Sequence, residues 1–142
     1  MAHILVTGAS GFVGAAVAAA LAARGDRVTA FDMALSPGLQ KIARQYASLR
    51  TVIGEVTECA GVMALFKENP PDCVFHAAAI VGVIASVRAP NRTFEVNVQG
   101  TINLLEAMRL FGTKRMVHMS SEETYGPFQA DVIGEGHAQN PL

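Results

Sequence analysis

Charge is scarce in this chain: ionisable Asp, Glu, Lys and Arg make up 16% of its 142 residues and nearly cancel to a formal −1. Neither a net basic balance nor a clustered Lys/Arg stripe is present, which excludes the electrostatic footprint a nucleic-acid partner requires. Cysteine is scarcer still. Cys59 and Cys73 have neither metal-ligand nor disulfide-framework spacing, so they are expected to be reduced thiols and small core residues of a cytoplasmic protein. His76, His118 and His137 show no metal-ligand grouping, so no metal is expected; His76 and His118 fall on strands as satisfied structural histidines. Long apolar runs are also missing. The Ala-rich stretch Phe12–Ala23 stops at Arg24, short of the ~20 residues of a membrane span, and reads as a buried helix. No basic segment precedes it, which argues against a secretory signal. The apolar fraction, 51%, excludes disorder and suffices for the core of one domain.

What is present is an alternation of short β-branched runs with longer stretches of helical period, the pattern of repeated βαβ units. Strands are expected at His3–Thr7, Arg27–Asp32, Leu49–Gly54, Asp72–Ala77 and Arg115–Ser120, and helices at Phe12–Arg24, Gly38–Ala47, Glu58–Glu68 and Arg92–Phe111. The strands' near-continuous apolar character predicts helices on both faces of a parallel sheet. In the last helix Asn91 is placed to cap the start and Gly112 to end it, while Phe94, Val98, Ile102, Leu105 and Met108 form a stripe expected to face a core. Gly25 ends the first helix, and Pro70-Pro71 stops the third. The fold class is therefore α/β, a doubly wound parallel sheet of the Rossmann type with about five strands. After Tyr125 the periodicity disappears. Residues 1–125 read as the domain, and 126–142 as a loop leading to a C-terminal part missing from the sequence.

Thr7-Gly8-Ala9-Ser10-Gly11-Phe12-Val13-Gly14 directly follows the first strand and opens the first helix. In that setting Gly8 permits the tight turn, Gly11 admits backbone close to a pyrophosphate, and Gly14 allows helix and strand to pack closely. The helix N-terminus offers unpaired N–H groups and partial positive charge to phosphates. The second strand ends at Asp32, whose carboxylate can accept hydrogen bonds from a ribose diol and would repel a 2′-phosphate, so NAD is expected rather than NADP.

The glycine spacing, together with Asp32, Gly54-Glu55-Val56-Thr57, His76-Ala77-Ala78-Ala79, Asn97-Val98-Gln99-Gly100-Thr101, Ser120-Ser121 and Tyr125-Gly126, resembles the extended short-chain dehydrogenase/reductases and, more narrowly, their NAD-dependent epimerase/dehydratase group. The resemblance implies hydride transfer between NAD and an alcohol such as a nucleotide sugar. It places Glu55, where the group usually has Asp, and Val56 beside the adenine; Ala77, Ala78 and Ala79 along the middle of the cofactor; and Asn97, Met119 and Ser120 near the nicotinamide. Ser121 takes the place of the catalytic Ser or Thr. The cofactor set expected is thus Gly8, Ser10, Gly11, Phe12, Val13, Gly14, Asp32, Glu55, Val56, Ala77, Ala78, Ala79, Asn97, Met119 and Ser120. Tyr125 matches a loop tyrosine of the group. The reacting tyrosine belongs to a Tyr-x-x-x-Lys helix, and no Lys follows Lys114, so the chain is expected to be the N-terminal portion of such an oxidoreductase. Glu122 and Glu123 are expected to be solvated loop charges. Two readings stand beside this one: a non-catalytic NAD-binding or regulatory module, and a homodimer formed through an apolar edge at the fifth strand.

Overall fold

A computed structural model describes residues 1–141. Five parallel strands, β1 (His3–Thr7), β2 (Arg27–Asp32), β3 (Leu49–Ile53), β4 (Cys73–His76) and β5 (Arg115–His118), form one sheet in the order β3-β2-β1-β4-β5. β1 lies at the centre and is buried at every position. Its side chains alternate between faces: Leu5 enters a core with Phe31, Val74, Phe66 and Leu104, while Ile4 and Val6 enter a second core with Ala18, Val28 and Leu39. Helices α3 (Cys59–Glu68) and α6 (Gly100–Phe111) cover the first face, and α1 (Phe12–Ala23) and α2 (Pro37–Gln45) the second. This is the doubly wound architecture that the βαβ pattern predicts.

Local chemistry sets the element ends. Gly25, at φ 94°, and Gly112, at φ 82°, turn the chain in the left-handed region after α1 and α6. Ser36 caps α2, its hydroxyl accepting from Leu39 N at 3.2 Å, a cap that places the start one residue before the Gly38 expected from sequence. Inside the core, Asn103 is buried and donates to the carbonyls of Val56 and Thr57 at 2.9 and 3.1 Å, fixing the chain beyond β3 to α6.

The structure departs from expectation along residues 83–111. Two short helices, α4 (Val83–Arg88) and α5 (Pro90–Phe94), precede a π-helical turn at Glu95–Gln99 and then α6. The four expected helices contain no counterpart of α4. Asn91 caps nothing, because α5 already begins at Pro90 with Ala89 as its N-cap. The proline at N1 starts the helix, since it needs no N–H partner there. The expected core stripe is also wrong. Phe94, Val98, Ile102 and Leu105 are exposed, and of that set only Met108 is buried. The π turn widens the helix and shifts the phase of Phe94 and Val98 relative to α6, while within α6 itself Gly100, Leu104 and Ala107, rather than Ile102 and Leu105, face the core. β5, the outermost strand, is mainly exposed, contrary to cover on both faces. Cys59 is exposed as well, so only the half-buried Cys73 fits the core reading. Among the described residues no helix is long and apolar enough to cross a membrane.

Gly14 sits against the turn that ends β1, where an added Cβ would come within 2.7 Å of the Gly8 carbonyl carbon. Backbone cannot yield as a side-chain tip can, so Gly14→Ala is expected to destabilise the fold by about 1–3 kcal/mol. A urea midpoint unchanged from the parent chain would contradict this packing.

Candidate functional site

The carboxyl ends of all five strands meet one groove. At its centre the chain leaves β1 through Gly8, at φ 67°, whose missing Cβ would lie 2.6 Å from the backbone of Ala77 and Ala78. Gly11 N–H donates to the Gly8 carbonyl at 3.0 Å, closing the turn. Helix α1 then begins with no side-chain cap and no acidic residue in its first turn. Its leading N–H groups therefore keep their hydrogen-bonding capacity and the positive end of the helix dipole, which suits an anion.

Beside that turn, Asp32 at the end of β2 accepts from Ser10 N–H through Oδ2 at 2.8 Å. Oδ1 makes no hydrogen bond among the described residues and stays open to a hydroxyl donor. The Ser10 hydroxyl is occupied differently: it donates to Ala34 O at 2.5 Å and accepts from Ser36 N at 3.0 Å, tying the loop after β2 to the glycine turn. Gly8, Ser10, Gly11 and Asp32 line a cavity of about 480 Å³ that continues past β3 to Glu55, Val56 and Arg92. That volume lies in the range of small-molecule sites. The Glu55 carboxylate is paired with Arg92 at 2.7 Å and accepts from the Thr57 hydroxyl at 2.9 Å. Those bonds, Arg92 first, hold its pKa below the usual carboxylate range.

A second cavity, about 720 Å³, lies on the other side of the β4 end and shares Ala77, Ala78, Ala79 and Ile80 with the first. Small side chains there leave the groove continuous. Asn97, in the π turn, donates to Ile80 O at 2.9 Å and accepts from Ile80 N at 2.8 Å. It thus clamps the loop after β4. Val13, Met119, Ser120 and Ser121 line the remainder. The Ser121 oxygen accepts from Glu123 N at 3.2 Å, which leaves its own O–H free to donate.

Residues 4–142 match the model of the NAD dependent epimerase/dehydratase family. The chain belongs to that family. Its curated relatives include a 3-beta-hydroxysteroid dehydrogenase of Mycolicibacterium neoaurum, 36% identical over 94% of this chain and 36% of the relative, and a UDP-glucose 4-epimerase of Mycolicibacterium smegmatis, 35% identical over 96% and 44%. Among solved structures, UDP-glucose 4-epimerase from Brucella ovis in complex with NAD superposes with a TM-score of 0.87 at 36% identity, covering 100% of this chain and 42% of that one. The enzyme of the same name from Stenotrophomonas maltophila, with bound NAD and formylated UDP-arabinopyranose, reaches 0.91 at 27% identity, covering 100% and 44%. The sheet is thus the Rossmann-type sheet of the epimerase/dehydratase family, and the chain spans less than half the length of these relatives.

The structure brings nearly all the sequence-derived site residues onto this one groove. Two lie off both cavities. The Phe12 side chain is 95% exposed, leaving its backbone N–H as the only group it can contribute, and Gly14 acts by packing on Gly8. Several lining residues went unforeseen: Met33, Thr57, Arg92 and Val96 in the first cavity, His118 and Glu123 in the second. Glu123, read as a solvated loop charge, lies beside Ser121 in that wall. No spacing rule marks Arg92, which reaches Glu55, beyond the end of β3, from α5.

The two strand histidines differ. His76 is buried between the Thr7 and Thr101 hydroxyls at 2.7 and 3.0 Å, as a satisfied structural histidine. His118 is exposed, its ring tilted against His76 with centroids 5.2 Å apart, so the structural reading fails there. Burial first, and the neighbouring His118 second, push the His76 pKa down to about 4 from 6.5. Below pH 6.5 the unfolded chain takes up a proton on this ring before the folded chain does. Stability is therefore complete above that pH and declines down to about pH 4, by on the order of 3 kcal/mol from this one group. Denaturation curves of His76→Gln should show a shallower loss across the same window; an identical slope would remove His76 as the cause.

Proposed function

We propose that the groove holds NAD and that this chain is the dinucleotide-binding part, residues 1–125, of an oxidoreductase acting on an alcohol of the nucleotide-sugar class. One observation carries the reading: the open carboxylate oxygen of Asp32 stands beside the uncapped start of α1, an acceptor for ribose hydroxyls next to donors for phosphate. A groove lacking either would not discriminate a dinucleotide from a simple anion. The same carboxylate disfavours a 2′-phosphate, so NAD is favoured over NADP. The NAD in the Brucella ovis and Stenotrophomonas maltophila enzymes supports this choice.

In this reading the adenosine half occupies the cavity at Asp32 and Glu55, the diphosphate lies over Gly8 to Gly11, and the nicotinamide half follows Ala77–Ala79 toward Asn97, Met119 and Ser120. NAD, when bound, supplies the hydride acceptor. Asn97 keeps the loop after β4 from closing the groove, and Ser121 donates its hydroxyl proton in a hydrogen bond to the substrate oxygen, orienting the carbon that loses hydride. The UDP-sugar epimerases among the relatives support a nucleotide sugar; the steroid dehydrogenase keeps the wider class of secondary alcohols in view. The free thiols suit a cytoplasmic enzyme. A homodimer is proposed on the open edge at β5, with sedimentation at twice the chain mass as its check.

Calorimetric titration with NADH and NADPH tests the cofactor. The parent chain should prefer NADH, and Asp32→Ala should weaken NADH by about ten-fold or more through loss of charged hydrogen bonds. Equal affinity for both dinucleotides in the unmodified protein would sink the assignment.

A further inference from the structure

The order of strands along the groove assigns its contents. With phosphate at the end of β1 and ribose at the end of β2, a base must lie at the end of the next strand outward, β3. There the chain turns at Gly54, pressed against the Phe31 ring, where a Cβ would meet the ring at 2.6 Å. Beyond it the cavity wall is apolar at Met33, Val56 and Val96, with a single ion pair, Glu55 with Arg92. A largely apolar wall with a charged pair at its edge suits a heteroaromatic ring.

We propose that Arg92 is a positioning residue that selects the base: it holds the Glu55 carboxylate so that adenine, which carries an amino group, is accepted and a 6-oxo purine is rejected. The inference rests on the NAD reading above. Both the Arg92 guanidinium, at 2.7 Å, and the Thr57 hydroxyl, at 2.9 Å, bind the same oxygen, Oε2. Oε1 takes no hydrogen bond among the described residues. One oxygen is thus anchored and the other is available, and an ionised carboxylate is an acceptor only. Adenine presents N–H donors at its 6-position. Hypoxanthine and guanine present a carbonyl there, whose lone pairs oppose those of Oε1. Glutamate needs this anchor because its longer stem has more rotamers to lose on binding. Arg92 is itself steadied by Glu95 at 3.4 Å. A half-exposed pair of this kind adds little to fold stability, which leaves orientation as its main effect.

The test compares NAD with nicotinamide hypoxanthine dinucleotide, identical in phosphates, riboses and charge, by calorimetric titration of the intact chain. The unmodified protein should favour NAD by about ten-fold, the effect of one well-placed hydrogen bond against an opposed pair. Removing the Arg92 charge by Arg92→Leu shifts affinity for both dinucleotides alike, so the ratio isolates the base. It should collapse to within about two-fold, and Glu55→Gln, whose amide can donate to the 6-oxo group, should abolish the preference. Arg92→Lys keeps the charge without the planar fork; its ratio should fall at least about three-fold, which carries the test if the leucine variant does not fold. Retention of the full NAD preference in folded Arg92 variants, or no preference in the parent, overturns the proposal and leaves NAD binding standing. Failure of the parent to bind either dinucleotide overturns both.

Discussion

The contact between the turn at Gly8 and the backbone at Ala77–Ala78 is the constraint on which the groove depends. Two adjacent parallel strands, β1 and β4, end side by side, and the chain leaving each must pass the other without a side chain between them. Gly8 meets that demand from one strand and the small alanines from the other, while Gly14 lets α1 pack on the same turn. A Cβ at either glycine would strike backbone, which can move only by displacing α1 or the strand itself. The resulting turn aims the uncapped start of α1 at the space above the sheet. Close packing and the open start of α1 are therefore one geometric fact.

From that centre the groove extends in two directions with different chemistry. Toward β3 it acquires fixed negative charge, Asp32 and then Glu55, each carboxylate held by one oxygen and open at the other. Toward β5 it acquires hydroxyls and an amide, Ser120, Ser121 and Asn97, beside the exposed His118. The two ends of the groove thus differ in polarity, carboxylates at one and hydroxyls with an amide at the other. Beneath it, His76 joins β1 to α6 through two threonine hydroxyls, and the burial of this ring favours near-neutral pH.

The exposed stripe spans α5, the π turn and α6. Asn97 reaches the loop after β4 from the π turn, while Leu104 and Ala107 of α6 pack in the core with residues of α3. One wider turn at Glu95–Gln99 joins α5 to α6. Phe94 and Val98, spaced as a core stripe should be, face outward ahead of α6, and Ile102 and Leu105 lie on the outer face of α6 itself.

By itself the sequence determined the parallel sheet, its five strands, the glycine turn and the acidic residue beside it, because each rests on neighbours in the chain: periodicity, turn chemistry and a motif read in its strand-to-helix setting. Family resemblance added Glu55, the alanines, Asn97 and Ser121, and the structure gathers these on one groove. Tertiary structure alone decided that Arg92 meets Glu55, 37 residues away, that Glu123 lines the wall beside Ser121, that His118 lies in the open while His76 is enclosed, and that a helical stripe points away from the core. Those facts depend on how distant segments come together and on one change of helical pitch. Neither leaves a trace in local composition, because the same residues at the same spacing would satisfy an unbroken helix in another setting.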